Sequence, residues 1–251
     1  MDAYFLAFEQ HGAPMFAVLL AAFLQSVTGF GLVIVAAPLL MLFYEPKLVV
    51  PIMLLLASCG NLLQGWMERK QANFALVKWL YLGVLLGQPL GFFVFSQAPN
   101  DVLKLFINVV LLLSLSLLQI SHRHINECRR NSLITGIFSG FTSITTGMGG
   151  PPFLIYLAYT QMTTRAFRAT CFVFFFLCNI TSLTSYLIGG FPLQPALTEF
   201  PYLLPALIVG IILGHLFFRF IPGSLIKKIV FALLYITSLW TIFHVLQKNF
   251  F

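Results

Sequence analysis

Thr146-Gly147-Met148-Gly149-Gly150-Pro151-Pro152 interrupts one long apolar run of the chain, and 118 positions earlier Thr28-Gly29-Phe30-Gly31, followed by Pro38, interrupts another. At the same offset Asn61 matches Asn179. The two runs, 14–44 and 132–160, are each about thirty residues long, too long for one ordinary span and too short for two. Glycines weaken a helix, and irregular backbone at membrane depth persists only where protein or a water-filled cavity satisfies its polar groups. A duplicated break of this kind in a membrane-spanning chain points to a transporter's binding site.

Composition supports the membrane. Of 251 residues, 59% are hydrophobic and 8% charged, where an ordinary soluble domain has about 45–50% and about 25%. Six further apolar runs, near 48–66, 76–96, 102–121, 168–190, 200–221 and 226–247, are long enough to cross a hydrocarbon layer of roughly 30 Å. The expectation is an all-α, polytopic membrane protein with little chain left for a soluble domain. A net charge of +7 in so apolar a chain reads as orientation in the bilayer, not as nucleic-acid binding. Cys59, Cys128, Cys171 and Cys178 show no paired spacing and read as packing residues; no metal and no cofactor is expected. No Lys or Arg precedes the first apolar run, which exceeds a signal-peptide core, so no cleaved leader is expected.

Basic residues decide between two topologies, because Lys and Arg collect on the cytoplasmic side. If both glycine-broken runs cross, the basic residues divide seven against seven. If both turn back as hairpins of two half-helices, one side holds Arg69, Lys70, Lys78, Arg123, Arg129, Arg130, Arg165, Arg168, Arg219, Lys227 and Lys228, and the other only Lys47, Lys104 and Lys248. The hairpin arrangement gives a clear bias and places both termini outside the cytoplasm. It also leaves three crossings and one hairpin in each half, 1–125 and 126–251, so the second repeat is inverted relative to the first, a common transporter architecture. The repeat continues in Gly83-Val84-Leu85-Leu86-Gly87-Gln88 and Gly210-Ile211-Ile212-Leu213-Gly214-His215, at an offset of 127.

The pattern Thr28-Gly29-Phe30-Gly31 with Pro38, then Gly147-Met148-Gly149-Gly150-Pro151-Pro152, Arg168-Ala169-Thr170 and Asn179, resembles the TauE/SafE family of sulfite exporters and related anion permeases. The resemblance covers nearly the whole chain and is more specific in the second half. It implies a multi-pass transporter of the bacterial inner membrane carrying small anions such as sulfite, organosulfonates or other small organic acids. It leaves the particular anion open.

Backbone N–H groups at a helix N-terminus, with the positive end of the helix dipole, suit a small anion in a low-dielectric site. The half-helix after each break would point such an N-terminus at the midplane. Pro151 and Pro152 fit a helix's first turn, and Gly29, Gly31, Gly147, Gly149 and Gly150 would let an oxyanion approach the backbone. Gln25, Ser26, Thr28, Ser139, Thr142, Ser143, Thr145 and Thr146 supply neutral donors nearby, or bond back to the preceding helical turn. Asn61 and Asn179 either hold the broken backbone open or reach the substrate. Gln88 and His215 form a second polar pair, with His215 a satisfied core histidine or a proton acceptor. Arg168 either snorkels to the interface or turns inward; the family pattern favours inward, and its counterpart Val50 makes the pocket asymmetric. Asp2, Glu9, Glu45, Glu68, Asp101, Glu127 and Glu199 fall outside or at the ends of the apolar runs, so proton coupling would rest on His215, His244 or the substrate.

The expected partners are the bilayer and a small anion, and the chain is compatible with a homo-oligomer. An anion channel is the alternative function; a non-transport membrane subunit and an intramembrane enzyme have less support. His-Glu-x-x-His, Gly-x-Ser-x-Gly and paired intramembrane carboxylates are missing from the sequence, so no enzyme is expected.

Overall fold

The computed structural model describes residues 2–28, 32–120, 128–158, 160, 162–217, 232, 235–243, 245 and 247. All its regular structure is helical: α1 Asp2–Thr28, α2 Leu32–Leu40, α3 Pro46–Glu68, α4 Phe74–Gln97, α5 Asn100–Ile120, α6 Arg129–Thr146, α7 Gly150–Ala158, α8 Thr164–Ile188 and α9 Gln194–Phe217, with a helical stretch over 235–243. Four stretches, Pro46–Gln71, Phe74–Gln97, Arg165–Ile188 and Gln194–Leu216, are long and apolar enough to cross a bilayer. Gly29 to Gly31 lie outside the described residues, as does the expected boundary between halves at 125/126.

Local chemistry sets the helix ends. Pro46 opens α3, where a missing N–H costs nothing. The Asn73 side chain caps α4 by accepting from the Leu76 N–H at 3.1 Å, and the Asn73 N–H donates to Thr170 Oγ1 of α8 at 3.0 Å. Thr163 caps α8 by accepting from the Ala166 N–H. α6 stops at Gly147, which takes φ +71° and donates its N–H to the Ser143 carbonyl at 2.9 Å. This left-handed turn favours glycine.

Two helix pairs pack especially closely. α4 lies along α6 so closely that a Cβ on Gly83, Gly87 or Gly91 would overlap Leu133, Ile137 or Ile144, and one on Gly136 would overlap the Leu80 carbonyl. α9 lies along α1 in the same manner, with Gly210 against Leu19 and Ala22 and Gly214 against Phe23 and Ser26. Small residues permit this approach between helices in lipid. α3 packs on α8 at the centre, with Ile52, Met53, Leu54 and Leu56 of α3 and Phe172, Phe174 and Cys178 of α8 fully buried. Outward faces carry exposed Leu86, Leu90, Phe93, Leu113, Phe138, Leu187, Ile212 and Trp240, as lipid contact requires.

Polar contacts gather at two ends of the bundle. At one, Arg168 pairs with Glu68 at 3.2 Å, Asn73 meets Thr170, and the Arg129 guanidinium lies 5.1 Å from the Trp79 ring. At the other, Tyr44 OH donates to Glu199 at 2.9 Å, His11 Nδ1 lies 3.2 Å from both Tyr44 OH and Glu199 Oε2, Asn100 donates to Glu45, and Lys47 to the Ser96 carbonyl. Burial and the Glu199 carboxylate push the Tyr44 phenol up, so Tyr44 keeps its proton and remains the donor.

Candidate functional site

The N-terminal turns of α2 and α7 converge on one interior cavity. Its volume is about 40 Å³, space for about three waters. Leu32, Val33 and Ile34 open α2, and Gly147, Met148, Gly149 and Gly150 form the turn into α7; these line it together with Gln25, Ala57, Asn61, Leu154, Phe175 and Asn179. The first turn of α2 and the second break are neighbours here, since a Cβ on Gly147 would meet Val33 Cγ1 at 3.2 Å.

Three amides supply the polar side chains of the wall. Gln25 Nε2 donates to Asn61 Oδ1 at 3.0 Å, which joins α1 to α3, while Gln25 Oε1 has no partner among the described residues. Exchanging the amide oxygen and nitrogen in both side chains keeps that bond and leaves Gln25 with a free donor instead. Across the cavity, Asn179 of α8 is buried and its Nδ2 has no partner among the described residues. A buried, unpaired amide donor costs about 1–3 kcal/mol, and a bound acceptor would remove that penalty.

The turn at the second break is held from behind. Thr146 Oγ1 donates to the Thr142 carbonyl at 2.7 Å and accepts from the Met148 N–H at 3.0 Å. Thr145 Oγ1 donates to the Phe141 carbonyl at 2.7 Å. Both hydroxyls therefore shape the end of α6 and lie outside the cavity wall. Pro151 and Pro152 carry no N–H, so the first turn of α7 retains only those of Gly150 and Phe153, with Gly149 immediately before it. First-turn N–H groups have no acceptor within their own helix, and two of these residues, Gly149 and Gly150, line the cavity.

The other residues singled out in the sequence lie elsewhere. Ser26 is buried against Gly214 and donates to the Ala22 carbonyl. Arg168 is directed to Glu68 at the bundle's end and to the face of Phe172, and it does not line the cavity. The His215 side chain is exposed on α9. Gly29 and Gly31, and the side chains of Thr28 and Pro151, lie outside the described residues. Met148, Leu154 and Phe175 line the cavity unannounced, because an apolar residue within an apolar run carries no chemical mark. A second buried network was also not legible: Gln88 Nε2 of α4 donates to Ser182 Oγ at 2.8 Å and to the Cys178 carbonyl, and Ser182 Oγ lies 3.3 Å from Ser143 Oγ. Ser182 stands 118 positions after Gln64, so α3 and α8 both carry a polar residue one turn past their matched asparagines.

Long apolar helices around a cavity with three amide side chains in its wall define a helical membrane protein with a partly polar interior site. The family model of the sulfite exporter TauE/SafE matches residues 15–241, nearly the whole chain, and the protein belongs to that family. No curated protein and no solved structure matches it significantly.

Proposed function

We propose that the protein is a secondary transporter of small anions, held between two inverted repeats, 1–125 and 126–251, at the N-terminal ends of α2 and α7. The observation that carries this reading is the cavity between the start of α2 and the turn into α7, with Asn179 Nδ2 unpartnered and no charged side chain in the wall among the described residues. Gln25, Asn61, Gly147, Gly149, Gly150 and Asn179 are the proposed contacts; Ser26, Thr145 and Thr146 support the backbone around them. Arg168, paired with Glu68, is proposed to attract anions at the cytoplasmic approach to the site. No enzymatic role is proposed.

Two contacts support turning back at the breaks. Ser132, near the start of α6, has its Oγ 3.0 Å from Tyr156 OH near the end of α7. A chain continuing in one direction at 1.5 Å per residue would separate those residues by more than about 30 Å. His11 and Tyr44 meet in the same way across the first break, where a continuous path would separate them by roughly 50 Å. The two hairpins then open at opposite ends of the bundle. Among described residues Arg69, Lys70, Lys78, Arg129, Arg130, Arg165 and Arg168 lie on the Glu68 end, and Lys47 and Lys104 on the Glu199 end. By the positive-inside rule the Glu68 end is cytoplasmic, in the bacterial inner membrane that the family implies. An anion leaving a negative interior gains about 2.3 kcal/mol per charge at 100 mV, which favours export.

Purified protein in proteoliposomes, offered labelled sulfite, taurine, sulfoacetate and oxalate with and without a pH gradient, should show saturable flux of at least one anion. Flux no greater than in empty liposomes would refute the transporter, and a large continuous single-channel current would favour a channel.

A further inference from the structure

The wall of the cavity combines two chemistries. Gln25, Asn61, Asn179 and the backbone of Gly147, Gly149 and Gly150 offer polar groups, while Leu32, Val33, Ile34, Ala57, Met148, Leu154 and Phe175 are apolar, and Leu154 and Phe175 lie beside Gly150. Among the described residues no Lys, Arg or His is in the wall. Arg168, the nearest candidate by sequence, is paired with Glu68 at the bundle's end.

A neutral wall constrains the valence of what it holds. The cost of removing an ion from water rises with the square of its charge, so a dianion loses about four times the hydration of a monoanion of equal size. A cation beside the ion can offset that loss; neutral amides and a helix N-terminus offset only part of it. The amides are nonetheless built for a ligand: Asn179 is 4% exposed with its Nδ2 donor unpartnered among the described residues, and Gln25, 3% exposed, has its Oε1 unpartnered there, a position that becomes a donor when its amide and that of Asn61 are exchanged. Leu154, Phe175 and the other apolar residues of the lining favour an apolar group on the ligand.

Resting on the anion-transport reading, we propose that this cavity selects singly charged oxyanions bearing one small apolar group and discriminates against dianions. The oxyanion faces Asn179 and the Gly149–Gly150 backbone, and the apolar group faces Leu154 and Phe175. The volume, space for about three waters, limits that group to a short one.

Methanesulfonate and methylphosphonate test this directly, because they share a shape and differ in titration: the sulfonate is a monoanion throughout, while the phosphonate goes from monoanion in acid to dianion in alkali. Each is added as a competitor of labelled ethanesulfonate flux, a monoanion at both pH values, in proteoliposomes of the wild-type protein at pH 6 and pH 9. The inference predicts that methanesulfonate inhibits equally at both pH values, whereas methylphosphonate loses at least about tenfold in potency on going to pH 9. It predicts too that sulfate competes more weakly than methanesulfonate at both. Methylphosphonate that holds or gains potency at pH 9, or sulfate that competes as well as methanesulfonate, overturns the valence rule and leaves the transporter standing. Absence of any anion flux overturns both.

Discussion

Asn179 carries a buried amide donor in the cavity wall that nothing described accepts, and the proposed site depends on this residue more than on any other. A hydrogen bond to a charged group contributes about 1.5–3 kcal/mol. Asn179→Leu, nearly isosteric, should therefore reduce flux about 10–100-fold at equal reconstituted amounts while the protein elutes normally from a sizing column. Gly147 is the second residue on which the site turns. Its φ of +71° costs a residue with a Cβ roughly 1–2 kcal/mol, and that Cβ would also press on Val33. Gly147→Ala should lower the thermal midpoint in detergent and lower flux with it. Asn179 and Gly147 are both legible in the sequence, one by its duplicate and the other by its cluster. The roles of Thr145 and Thr146 were not, because a hydroxyl's choice between substrate and the preceding turn depends on a rotamer that spacing leaves open.

At the scale of elements, glycine sets how α4 meets α6 and how α9 meets α1. At Gly87 the obstacle to a side chain is the Ile137 backbone, which cannot swing aside as a side-chain end can. Overpacking usually costs about 1–3 kcal/mol, and Gly87→Leu should exceed that, leaving little monodisperse protein after detergent extraction. Gly60→Ala, whose new Cβ would have its nearest neighbour at 3.7 Å, should extract normally. The same contacts revise a register. If the halves are matched at 118, Leu19 corresponds to Ile137 and Phe23 to Phe141; Gly210 and Gly214 then stand where Gly87 and Gly91 stand, an offset of 123 and not 127. Glycines recurring every four residues permit pairings one turn apart, and only the facing helix decides among them. On this register Gln88 and His215 are not counterparts, which agrees with Gln88 being buried in a polar network and His215 exposed.

For the whole molecule, the paired contacts Ser132–Tyr156 and His11–Tyr44 fit the topology that the basic residues favour. Alkaline phosphatase fused after the C-terminus should be active in bacteria and green fluorescent protein fused there should be dark, with the reverse for fusions into the loop between α3 and α4. Charge and breaks are what the proposed architecture is read from, because membrane insertion and backbone irregularity each leave a mark in one dimension. The central packing of α3 on α8 left none, since apolar residues facing protein and facing lipid look alike in the chain.

The account stands on an anion held between the two breaks. Selenite is a sulfite analogue whose selenium can be located by anomalous scattering, so crystals grown with selenite and measured at the selenium edge test that claim most directly. An anomalous peak in the cavity, placed so that the selenite oxygens reach Asn179 Nδ2 and the Gly149–Gly150 backbone at hydrogen-bond distance, is predicted, and it should vanish in Asn179→Leu. An empty cavity with selenium bound instead at Arg168 or another basic residue would contradict the account.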